Sequence, residues 1–93
     1  MDDAKTFDPP RARTKWAEKM AMRAVWAATW IRHELYIGTP ARKIAARLDD
    51  TGNCVLTATE DRHVEFYMLG TTGVGRSTEA ALRHWCEIVE ARP

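Results

Sequence analysis

From Arg11 to Tyr36 the chain contains neither glycine nor proline, and its apolar residues recur at helical spacing. On a wheel of 3.6 residues per turn, Trp16, Ala17, Met20, Ala24, Ala27, Ala28, Ile31 and Leu35 share one broad face, the expected core face. Glu18, Thr29 and Arg32 lie opposite. A second, narrower line, Met22, Trp26 and Trp30, runs beside the core face at spacings of four. One small sheet cannot cover both lines. Either the helix is wrapped on two sides, or Met22, Trp26 and Trp30 face another molecule. Gly38 then closes the helix in the C-cap manner, and Pro40 prevents its resumption.

The stretch "TPARKIAARLDD" fits two patterns. As a helix it has Thr39 as cap and Pro40 at its first position. As a strand over 41–48 it alternates Ile44, Ala46 and Leu48 with Lys43, Ala45 and Arg47, and it runs into the turn "DDTGN". The strand is preferred, because the β-branched, alternating "CVLTATE" that follows needs a partner. In "VEFYMLG", Val64, Phe66 and Met68 share one face and Glu65, Tyr67 and Leu69 the other. "GTTGVGR" reads as a loop whose three glycines permit positive φ. Ser77 caps a last helix with Ala81, Leu82, Trp85, Ile88 and Val89 as its buried stripe and Arg83, His84, Glu87 and Glu90 toward water. The expected fold is α+β in the order αβββα: a three-stranded antiparallel meander with a long N-terminal helix and a C-terminal helix packed on one face. Residues 1–9 are expected to form a flexible arm, and 10–93 a single small domain.

Composition narrows the function. Ninety-three residues, 45% hydrophobic and 29% charged, make one ordinary globular domain, short for an enzyme. The net charge of +1 provides no strong overall field for nucleic acid or an anionic membrane, so any basic function is local. The basic residues gather early, as Arg11, Arg13, Lys15, Lys19 and Arg23. Cys54 and Cys86 lie far apart, and Met1 is followed by "DDAKTFDPP". This pattern predicts a cytoplasmic chain with two reduced thiols and no membrane partner. His33, His63 and His84 have no metal-ligand spacing, so neither metal nor cofactor is expected. His84 and Cys86, two apart on a helix, point about 200° apart and cannot act as a base and nucleophile pair. Catalysis and a small-molecule substrate are therefore not expected.

The run "GVGRSTEAALRHW", with the order of elements, resembles the double-stranded RNA-binding domain, whose last helix follows a G-x-G-x-S pattern. That resemblance implies shape-led binding to duplex RNA through lysines at the helix start. Here Thr78 and Glu79 stand in their place, and the loop that would reach a minor groove is the acidic Asp49–Asn53; only Arg76 fits. The same run also resembles HicB-type antitoxin modules, where a meander leads through a Gly and a Ser/Thr cap to an E-x-A-L helix. At motif level both resemblances are confined to Gly73–Ala81.

The expected function is a non-enzymatic binding protein that masks a surface of a partner protein. Met22, Trp26 and Trp30 would be its anchors, and Arg11, Arg13, Lys15, Lys19 and Arg23 would steer an acidic partner. A second copy could use the same stripe, giving a homodimer. Small chains of this build are common among mobile-element and phage accessory proteins, including anti-CRISPR inhibitors. The alternative is a nucleic-acid-binding module or a small helix-turn-helix regulator, with Arg42, Lys43, Arg47 and Arg76 as added contacts.

Overall fold

The computed structural model describes residues 9–50 and 54–92, with side chains from Lys19 onward except that of Met20. The elements are α1 (Pro9–Tyr36), α2 (Ala41–Asp49), β1 (Cys54–Ala58), β2 (Val64–Met68), β3 (Thr71–Gly75) and α3 (Thr78–Glu90). The fold is α+β, and its sheet is a three-stranded antiparallel meander in the order β1-β2-β3. Of the arm expected over 1–9 only Pro9 is described, as the first residue of α1; residues 1–8 and residues 51–53 of the expected acidic turn lie outside the described residues.

Two segments exchange the roles expected of them. Residues 41–48, expected as a strand, are helical, because Ile44 and Leu48 also satisfy a spacing of four and are buried together with Ala45. Pro40 is the N-cap, and its carbonyl accepts from the Lys43 and Ile44 amides at 2.9 and 3.2 Å. Thr39, expected as that cap, instead donates its hydroxyl to Glu34 at 3.0 Å. The third strand comes from "TTGVG", expected as loop: Phe66 pairs with Gly73, and Val64 with Gly75. Its glycines serve close packing more than turning. A β-carbon on Gly73 would fall 2.5 Å from the Trp85 nitrogen, and one on Gly75 would fall 2.5 Å from the Ala80 β-carbon. Of the three glycines expected to permit positive φ, Gly70 has one, together with Leu69 in the turn between β2 and β3.

Register assigns the two faces of the sheet. Phe66, Met68, Thr71 and Gly73 are buried beneath α3, whereas Val55, Glu65, Tyr67, Thr72 and Val74 form the open face. Leu69, expected on the open face, packs against the core instead, since the chain has already turned there. Trp85 is the centre of the core. Its ring meets Phe66 edge-on at 5.9 Å, and its indole N–H donates to the carbonyls of Met68 and Thr71 at 3.0 and 3.1 Å. This satisfies a polar group that burial would otherwise leave without a partner.

The helices stack in two tiers. α3 lies directly on β2 and β3, α2 packs beside it over β1, and α1 rests on α3 and α2. The expectation that both long helices pack on the sheet is thus corrected for α1, whose buried residues Ala24, Ala28 and Ile31 join the core through α3. The small alanines permit this close crossing, and the Cys86 thiol reaches the Ala28 carbonyl at 3.7 Å. Arg32 fixes the crossing from outside by a two-pronged bond to Glu90, at 3.1 and 2.8 Å. At the other end of α1, Gly38 (φ 91°) closes a Schellman turn: its amide donates to Leu35, and that of Thr39 to Glu34.

Candidate protein interface on the first helix

α1 has two apolar stripes to satisfy, and the outer one, expected beside the core face, runs from the edge of that face at Trp30 round to the opposite side at Met22 and Val25. The inner stripe is covered, with Ala24, Ala28 and Ile31 buried and Ala27 and Leu35 half-buried. The outer one is not: Met22 is 64% exposed and Trp26 75%, and Val25 between them is exposed as well. Trp30 differs from its two stripe-mates. It is half-buried and packs against the core, so it forms the foot of the outer stripe. Exposed Met and Trp at one helical turn's spacing form a patch whose burial by a partner would be favourable.

Lys19 and Arg23 flank this patch. With Met22 and Trp26 they line a shallow groove of about 260 Å³, and a second groove of about 350 Å³ continues along Val25, Trp26, Thr29 and Trp30. The carboxylate of α1 whose side chain is described, Glu34, is buried on the other side, where Arg47 donates to it at 2.9 Å. The exposed face from Lys19 to His33 therefore offers cations and apolar surface without a competing acid. Arg11, Arg13 and Lys15 belong to the same helix by backbone, and their side chains, like those of Trp16, Ala17 and Met20, lie outside the described residues.

The basic residues considered for nucleic acid do not come together. Arg42 and Lys43 are exposed on α2, but Arg47 is engaged by Glu34. Arg76 follows Gly75 at the Ala58–Val64 end of the sheet, near Asp61, Arg62 and His63, whereas α2 borders the Cys54 end. His84, expected to face water, accepts the Val74 amide through Nδ1 at 2.9 Å and so ties α3 to β3.

Among the described residues no group of three or more His, Cys, Asp or Glu side chains is placed to hold a metal, and no helix is long and apolar enough to cross a membrane. Both cysteines are free thiols. Burial pushes the Cys86 thiol up to about 11, and burial followed by the charge of Asp49 raises that of Cys54.

Val25 does not stand out in the spacing of four that marks Met22, Trp26 and Trp30, although its place three residues after Met22 puts it on the same side. A groove of about 450 Å³ between α2 and β1, lined by Arg42, Ala45, Ala46, Asp49, Cys54, Val55 and Leu56, has no signal in the sequence pattern. That groove depended on the helical state of 41–49. Comparison with protein-family models, curated proteins and solved structures finds no match for the chain.

Proposed function

We propose that this chain is a non-enzymatic binding protein that covers a surface of a partner protein with the outer side of α1. Met22 and Trp26 are the anchors, Trp30 supports them from the edge of the core, and Val25 completes the contact. Lys19 and Arg23, with Arg11, Arg13 and Lys15 on the same helix, draw in an acidic partner surface and set its orientation. The carrying observation is the exposure of Met22 and Trp26 on a helix whose opposite side already satisfies the core. Large side chains with few rotatable bonds give contact area at small entropic cost, so a surface stripe of this kind is suited to binding. Such a device suits a small inhibitor, including the accessory inhibitors of mobile elements, working in the reducing cytoplasm where two free thiols persist.

The test is capture from bacterial lysate after nuclease treatment, followed by calorimetry with the purified partner. A Met22→Ala/Trp26→Ala variant should keep its fold and bind at least about tenfold more weakly, the scale of losing one anchor. Equal affinity for the variant would refute the reading.

A second reading draws on the helical state of 41–49. Two helices joined through Gly38, Thr39 and Pro40 form the skeleton of a helix-turn-helix, with Arg42 and Lys43 available to phosphates. It predicts duplex binding that falls steeply as salt rises; absence of binding at low salt removes it.

A further inference from the structure

The sheet has two edges, and they are treated differently. On β3 the outward amide of Val74 is taken by His84, and α3 packs along the strand. On β1 the pattern of hydrogen bonds runs the other way. Just beyond the strand Thr59 donates to His63 at 2.8 Å, so by the alternation of an antiparallel ladder Val55 and Thr57 bond to β2. Cys54, Leu56 and Ala58 then turn their backbone groups to the open side, and among the described residues no helix or loop bonds to them there. Natural edge strands are guarded by charge, proline or a bulge. β1, "CVLTA", has no charge and no proline, pairs without a bulge, and leaves Leu56 43% exposed although it points to the core face.

The helix beside this edge carries a self-complementary pattern. Arg42 and Asp49, seven residues apart, stand at the two ends of one side of α2, with Ala45 and Ala46 between them, and all four line the groove against β1. Neither Arg42 nor Asp49 is in an ion pair among the described residues. Turned about a two-fold axis perpendicular to the sheet, the same side of a second α2 would present Asp49 to Arg42 and Arg42 to Asp49, while the alanines allow close approach. The same axis passing at Leu56 would join the two β1 strands antiparallel, pairing Cys54 with position 58 of the other copy.

We propose that the occupant of this edge is a second copy of the chain: β1 adds to β1, giving a continuous six-stranded sheet, and the two α2 helices cross-pair through Arg42 and Asp49. The contact buries both Leu56 side chains and leaves the outer stripe of α1 free, so it stands or falls separately from the α1 surface.

The full chain is measured by sedimentation equilibrium, with Arg42→Asp, Asp49→Arg and the double exchange. Each single exchange should weaken the dimer about tenfold, the scale of replacing two exposed ion pairs by like charges, and the double exchange should restore it. Both substitutions are at exposed positions and suit the helix dipole, so folding is retained. Ala58→Cys should form an intermolecular disulfide with Cys54 of the other copy under mild oxidation, whereas Thr57→Cys, on the other face, should not. A monomeric wild type, a dimer indifferent to the single exchanges, a double exchange that fails to rescue, or a dimer lost on Trp26→Asp would each overturn the proposal.

Discussion

Gly73 lies so close beneath Trp85 that a β-carbon on the glycine would stand 2.5 Å from the tryptophan's backbone nitrogen. The strand and helix backbones touch there, and this closeness allows the indole to reach past the strand to the Met68 and Thr71 carbonyls. Gly73→Ala should therefore cost about 3 kcal/mol, the upper end for overpacking, since the obstructing atoms are backbone. Gly70→Ala meets open space and should cost only about 1 kcal/mol, through its φ of 78°. Urea unfolding of the two variants checks the order.

Glu34 is a carboxylate only 8% exposed, bonded to Thr39 and Arg47. Arg47→Ala leaves that charge with a single hydroxyl, and should cost about 1–3 kcal/mol. Arg83→Ala removes an exposed pair with Glu79 within α3 and should cost under about 0.5 kcal/mol. The comparison separates a pin between α1 and α2 from a surface pair.

The thiols give a pH signature. Folding buries Cys86 as the neutral thiol, so its proton is held up to about 11 against an ordinary value of 9.0. The unfolded chain ionises first. Stability from this group is complete below pH 9.0 and is lost as pH rises toward 11, by about 2–3 kcal/mol in all. Cys86→Ala should be less stable at neutral pH yet show a flatter decline over this window. A thiol reagent should label Cys54 slowly in the folded protein and Cys86 only after unfolding.

Trp26 and Trp85 should respond oppositely to truncation. Trp26→Ala should shift the unfolding free energy by less than about 0.5 kcal/mol, and Trp85→Ala should cost at least about 3 kcal/mol. Iodide should quench the Trp26 fluorescence and spare that of Trp85, because one ring is in solvent and the other has no exposure.

The caps and stripes were legible in the sequence for local reasons. Gly38 and Ser77 act through their own backbone neighbours, and the Ala81, Leu82, Trp85 and Val89 stripe repeats within one helix. The segment 41–48 reads as strand or helix alike because Ile44 and Leu48 fit periods of both two and four, and the pairing that "CVLTATE" needs does not reveal which neighbouring segments supply it. The pairing of β1 with β2 is the one the sequence predicts, while the third strand is hidden by glycines whose purpose lies in α3, several residues further on. Of the candidate surface on α1, Met22 and Trp26 are recognisable from their spacing. The division between them and Trp30 is not, because it depends on where α1 leaves the body of the domain.

The two opposed sides of α1 also separate what selection can change. Inner positions such as Ala24 and Ala28 are held by α3, so a larger side chain there disturbs the whole chain. Met22, Val25 and Trp26 answer to no internal neighbour of that kind. Substitutions at these three leave the scaffold unaltered, so the outer side of α1 is free to vary in sequence at little cost to folding.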